Sequence, residues 1–310
     1  MKRGGYLLVL GAIVLFSTIE VVSRYLQSGE GAAGQVGPLQ VATLRFLFGV
    51  IFMLALLAGR RQGRFIAEAC KKDGLPIAML GAVGVFLTFF LFHEGLESTN
   101  ASTAAVIFSM NPVFTVLIAS VVLRERLGLA GWLGVGLGLV GAFTAITGFQ
   151  FSALLSREDF LGSTLVLISA VTWSVYTVFG KRYSERYGSL TLSFLTMAAG
   201  SVLLALLLTI QGGWGEMADY GLRTWAWLLY LGLFTVGLGY FLYFEGLRHV
   251  PASRGASLFY LKPVLALLFA HFALGEPISY TLLLASVMVA SGILLVTVPK
   301  GDGRERENHL

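Results

Sequence analysis

Ten apolar runs of about 20 residues, parted by short polar breaks, occupy nearly all of this 310-residue chain. They cover residues 5–26, 38–58, 74–94, 100–122, 129–149, 160–182, 190–210, 224–246, 253–273 and 278–298. A helix of that length is roughly 30 Å long, the thickness of a bilayer's hydrocarbon core. Lipid offers no partners to the backbone, so each run has to satisfy its own peptide groups as a helix. Only 13% of residues are charged and 56% are hydrophobic, whereas soluble chains carry about a quarter charged. Mean hydropathy is +0.80. The longest connections, 152–159 and 212–223, are too short to hold a soluble domain. The expected fold class is an all-α integral membrane protein with ten transmembrane helices.

Basic residues alternate between the two sides of these spans. With the N-terminus inside, the inner side collects Lys2, Arg3, Arg60, Arg61, Arg64, Lys71 and Lys72, then Arg124, Arg126, Lys181, Arg182, Arg186, Arg248, Arg254, Lys300, Arg304 and Arg306. The outer side keeps Arg24, Arg157 and Arg223. This asymmetry predicts cytoplasmic termini and a multi-pass protein of the inner (plasma) membrane. It also explains the net charge of +5 better than nucleic-acid binding, which needs a clustered basic face. Lys2 and Arg3 ahead of the first run resemble a secretion signal, but without a small-x-small cleavage site they make at most a signal anchor. Cys70, the only cysteine, rules out a disulfide framework or a cysteine metal cluster.

The stretch from Glu94 returns from Glu245: Gly95 with Gly246, Ala101 with Ala252, Phe108 with Phe259, Pro112 with Pro263 and Glu125 with Glu276 match at one offset of 151. The first spans match more weakly, as Phe16-Ser17 against Trp173-Ser174. The second spans share Thr-Leu-x-Phe-Leu from Thr43 and from Thr191. The expected units are 1–150 and 151–299, with a cytoplasmic tail at 300–310. Each has five spans, an odd number, so the second enters the membrane from the opposite face. Inverted repeats enclose a site near the midplane that either unit opens by rocking against the other. This duplication points to transport. Gly134-x-x-x-Gly138 in the fifth span serves close helix packing, either within the monomer or in a homodimer.

Glu20, Arg45 and Lys262 are the deepest ionisable groups, each costing roughly 2.5–3.5 kcal/mol at the bilayer centre. At about 1.5 Å per residue, Glu20 and Arg45 reach similar heights and are expected to pair. Arg24, one turn on, is an alternative partner, and proton or cation handling by Glu20 is the sharper possibility. Lys262 lies near the midplane with no acidic residue at its depth. It is neutral, or bonded to carbonyls and water, or a receiver of an anionic group from a substrate. Pro112 and Pro263 follow Asn111 and Lys262 at mirrored places, and each proline displaces the carbonyl four residues earlier, those of Phe108 and Phe259. Broken helices at matching positions mark a transport site. Phe16, Phe108, Trp173, Tyr176, Phe259 and Tyr260 supply rings for an apolar side chain or an ammonium group, or merely pack. Trp214, Tyr220, Trp225 and Trp227 suit an interfacial belt. His93 and His271 suit a vestibule or helix ends. Glu125 and Glu276 end corresponding helices. No His-x-x-x-His spacing or paired midplane carboxylates occur, so an enzyme, a metal site and a cofactor are not expected.

The residues Glu94-Gly95-Leu96 through Pro112 to Leu123-Arg124-Glu125, and Glu245-Gly246-Leu247 through Leu261-Lys262-Pro263 to Leu274-Gly275-Glu276, resemble the drug/metabolite transporter superfamily, and within it the ten-helix EamA family. The resemblance covers nearly the whole chain. It implies an inverted-repeat basket with a central cavity, and relatives exporting amino acids, their derivatives, nucleobases or organic cations. Aromatic amino acid exporters of the YddG type are similar, although Lys262 departs from a purely apolar cavity. The expectation is therefore a secondary transporter exporting amino acids or related metabolites, with Lys262 and Asn111 at the substrate's carboxylate. An organic-cation exporter switched by Glu20, and a membrane scaffold or receptor subunit without flux, are the alternatives.

Overall fold

The computed structural model describes residues 2–29, 35–59, 63–122, 128–147, 157–247 and 261–297. Every regular element among them is helical. Among the described residues six helices are long and apolar enough to cross a membrane: Gly4–Ser28, Pro38–Gly59, Phe65–Glu97, Phe160–Gly180, Ser189–Ile210 and Leu222–Tyr243. Four shorter apolar helices, Thr103–Thr115, Leu129–Gly141, Val264–Leu274 and Tyr280–Gly292, occupy the remaining apolar runs.

Several runs are broken. The first divides into α1 (Lys2–Phe16) and α2 (Ile19–Ser28), and α3 is Pro38–Gly59. The third comprises α4 (Gly63–Gly81), a π-helical segment (Ala82–Leu87) and α5 (Thr88–Glu97). The fourth divides into α6 (Ala101–Phe108) and α7 (Asn111–Val122), followed by α8 (Leu129–Thr147), α9 (Arg157–Tyr187) and α10 (Ser189–Ile210). Next come α11 (Leu222–Leu229), a second π-helical segment (Tyr230–Leu238), α12 (Gly239–Leu247), α13 (Leu261–Leu274) and α14 (Tyr280–Thr297).

The packing repeats itself. Helix α1 lies on α12 as α5 lies on α9, and α3 on the second π-helical segment as α10 on the first; α3 also packs on α10, α6 on α13 and α8 on α14. The closest approaches recur residue by residue. Gly95 abuts the Gly162 carbonyl and Val166, and Gly246 abuts the Gly5 carbonyl and Val9. Gly49 sits against Val236 and Gly200 against Val85; Gly232 meets the Arg45 carbonyl and Phe48, while Gly81 meets the Thr196 carbonyl and Ala199. Side chains at these glycines would collide, and backbones that close gain the dispersion contacts that hold helices together in lipid.

These contacts correct one sequence equivalence. Arg45 corresponds to Thr196 and Phe48 to Ala199, the offset of 151 again, so the Thr-Leu-x-Phe-Leu match from Thr43 to Thr191 is three residues out of register. The shared pentapeptide is apolar composition recurring in a helix, not structural correspondence.

Gly134 and Gly138 face Gly292 of α14, so this motif packs inside the monomer. Around the α8/α14 pair Val135, Leu282, Ala285 and Val289 form a small core with Val106, Met110 and Val113. The larger core runs through the other helices and includes Phe16, Phe46, Phe89, Phe92, Phe108 and Tyr240.

Candidate functional site

Helix α1 stops where two hydroxyls take its carbonyls. Ser17 Oγ donates to the Ile13 carbonyl at 2.8 Å and Thr18 Oγ1 to that of Leu15 at 2.7 Å. Serine and threonine bonded back in this way bend or end helices. The chain restarts at Ile19, placing Glu20 in the first turn of α2, where the helix dipole favours a carboxylate. Its Oε1 lies 2.6 Å from Lys262 Nζ in the first turn of α13, and the two side chains are 1% and 3% exposed. The ammonium also stands 4.8 Å from the Phe108 ring centroid, a favourable cation–π distance.

Two expectations are thereby corrected. Glu20 is ion-paired with Lys262 rather than Arg45, and Lys262 has an internal counter-ion. Counting depth along straight helices ignores the break at Ser17–Thr18, the direction each helix face points and the reach of a lysine stem. Arg24, the other suggested partner, donates through Nη1 to the Leu96 and Glu97 carbonyls at 2.9 and 2.6 Å.

Arg45 is fully buried, with Nη1 3.2 Å from His93 Nε2. Arginine has only donors, so Nε2 accepts; the imidazole is neutral and carries its proton on Nδ1. His93 is therefore a core residue, not a vestibule or helix-end group as expected. Arg45 Cζ lies 4.7 Å from the Phe89 centroid and 5.0 Å from that of Phe46. Arg45 Nε and Nη2, His93 Nδ1 and Glu20 Oε2 are buried with no hydrogen-bond partner among the described residues.

The helix break before Pro112 has a local solution. Asn111 Nδ2 donates to the Phe108 carbonyl at 2.9 Å, the acceptor that the proline displaces. Ser174 Oγ donates to the Asn111 carbonyl at 2.8 Å. The Asn111 amide thus fills the acceptor that the proline break would otherwise leave open. Pro263 falls in the first turn of α13, and the mirrored break, with Phe259 and Tyr260, lies outside the described residues.

Rings from both halves meet beside the charges. Phe16 packs edge-on to Tyr240 at 5.4 Å, and Trp173 to Phe89 at 5.7 Å, a pair of contacts related by the repeat. Trp173 also meets Tyr240 at 5.9 Å, Tyr176 at 5.2 Å and Phe108 at 6.5 Å. Tyr176 OH bonds Thr196 Oγ1 at 3.2 Å. Phe16, Phe108, Trp173 and Tyr176 are thus brought together. Phe89, Phe92, Tyr240 and Tyr243 were missed, although Phe89 with Tyr240 and Phe92 with Tyr243 are aromatic pairs at the repeat offset.

Other groups brace the ends. Glu276 Oε1 accepts from the Ala101 amide at 3.0 Å, satisfying an open donor of α6,. Gln40 accepts from Tyr220 OH at 2.6 Å and donates to the Gly213 carbonyl at 2.8 Å, binding residues 211–221 to α3. Trp225 packs on Phe48 and Tyr220, and Trp227 on Tyr25. His271 is exposed, its Nδ1 2.9 Å from the Glu276 carbonyl.

Comparison with known proteins agrees with this architecture. The model of the EamA-like transporter family matches twice, at residues 3–147 and 160–298. A protein named an uncharacterized transporter in Clostridium kluyveri is 27% identical, over 95% of this chain and 93% of its own. The uncharacterized transporter YyaM of Bacillus subtilis is 24% identical over 97% of each chain. A crystal structure 24% identical in sequence covers 94% of this chain and 95% of its own with a TM-score of 0.68, a likeness of fold. With both halves matched by one family model, the chain belongs to the EamA-like transporter family and is a multi-pass membrane transporter.

Proposed function

We propose that the protein is a secondary active transporter of the inner membrane that exports amino acids or related small metabolites by alternating access. The observation that carries this reading is the buried Glu20–Lys262 bridge, which joins the first matched unit to the second. A core held only for stability gains little from such a pair, because well-packed apolar residues commonly replace buried ion pairs at no loss. Ionisable groups kept inside a membrane mark pathways and relays. The recurring glycine contacts support two units exchanged by a pseudo-two-fold axis, and five spans in each make the second unit inverted. Both termini then face the cytoplasm, the side richer in Lys and Arg. Rocking of the units would part and remake the contacts between α2 and α13.

The alternative of an organic-cation exporter switched by Glu20 loses support. Among the described residues Arg45 and Lys262 outnumber Glu20 in the buried cluster, and a cationic substrate would add to the surplus. A scaffold without flux leaves the retained charges unexplained.

Purified protein in proteoliposomes tests the substrate class. Preloaded amino acids should drive saturable counterflow of labelled amino acid, and organic cations should neither exchange nor compete. Counterflow of organic cations with none for amino acids would overturn the reading.

A further inference from the structure

The buried charges around the Glu20–Lys262 bridge do not cancel. Lys262 balances Glu20, His93 is neutral while it accepts from Arg45, and the guanidinium is always protonated. Among the described residues the cluster therefore holds one positive charge in surplus at a site without solvent exposure. A charge so placed requires a counter-charge with hydrogen-bonding geometry.

The shape of the unused edge says which kind. Nη1 is spent on His93, whereas Nε and Nη2 have no partner among the described residues. Those two N–H bonds lie side by side and nearly parallel in the guanidinium plane, the fork that grips both oxygens of a carboxylate. The surroundings fit the rest of such a solute. Phe89, beside the guanidinium, leads to Trp173 at 5.7 Å and Phe108 at 6.4 Å. Glu20 Oε2 is likewise buried and unbonded among the described residues, an acceptor not used by Lys262.

We infer that Arg45 is the seat of the substrate's carboxylate, gripped through Nε and Nη2, and that the transported solutes are carboxylates bearing an apolar or aromatic side chain. Lys262 is occupied by Glu20 and does not take this part. The inference rests on the transport reading above and narrows it: the carboxylate is required, and an amino group is not.

Wild-type protein in proteoliposomes decides the matter with a series sharing one phenyl group: phenylalanine, 3-phenylpropionate, phenylalaninamide and phenethylamine. The first two should compete in counterflow of labelled phenylalanine, and the last two, lacking a carboxylate, should not. Arg45→Lys keeps the charge but loses the fork, and should weaken phenylalanine by about 10- to 100-fold, the worth of a charge-assisted hydrogen bond, without loss of the purified folded species. Competition by phenylalaninamide equal to that by phenylalanine, or unchanged affinity in folded Arg45→Lys, overturns the seat while the transport reading stands. Absence of saturable exchange for every member overturns the amino acid reading, and the seat with it.

Discussion

The ammonium of Lys262 and the carboxylate of Glu20 meet at 2.6 Å across 242 positions of sequence, each side chain almost wholly withdrawn from solvent. Removing one partner strands a charge in a medium that cannot solvate it. Glu20→Gln and Lys262→Met should each lower unfolding stability by about 3–5 kcal/mol, the usual cost of breaking a buried pair. The double variant should be at least as stable as either single one. Unfolding in mixed micelles measures this, and additive losses would show that the two side chains are energetically independent.

Asn111 should behave as a structural residue. Asn111→Leu leaves the Phe108 carbonyl without its donor, at a cost of about 1–3 kcal/mol. Unfolding should show that loss, while the order of preference among transported solutes stays as in the wild type.

Close helix approach gives a matched set of glycine variants. Gly49→Ala and Gly200→Ala drive a methyl group into Val236 and Val85 respectively, and overpacking of this kind costs about 1–3 kcal/mol. Gly136, with no neighbouring atom within 4 Å among the described residues, should accept alanine without loss. Thermal unfolding of the three variants side by side checks both the packing and its repetition.

At the end bearing residues 211–221, burial and then the nearby Glu216 push the Tyr220 hydroxyl up to about 12. The folded chain keeps this proton to a higher pH than the unfolded chain, whose tyrosine titrates near 10. The contribution is complete below pH 10 and is lost as pH rises through 12. Unfolding measured from pH 8 to 11 should show stability falling above pH 10, and Tyr220→Phe should flatten that fall.

Much of the fold was legible because lipid leaves a chain few options. Apolar runs the length of a bilayer and a constant offset between Glu94 and Glu245 are written in the sequence directly. Small residues at Gly95 and Gly246 mark backbone contacts that the structure places at corresponding junctions. The site was less legible. Residue depth along a helix can be counted, but rotation about its axis cannot, and that rotation turns Glu20 towards Lys262 and Arg45 towards His93. The break before Pro112 was evident, whereas its repair by Asn111 depends on a side-chain rotamer. His93 carried no signal of its own. Phe89 and Tyr240 did, as aromatic residues at equivalent positions of the two units.

If the salt bridge between the two units works in transport, removing it should stop flux even in a folded protein. The most direct measurement is counterflow of labelled phenylalanine by reconstituted wild-type protein beside Glu20→Gln, Lys262→Met and the double variant, each first shown to be folded and monodisperse. Exchange is expected from the wild type and none from the double variant, even where its stability is restored. Wild-type rates in the folded double variant would contradict it.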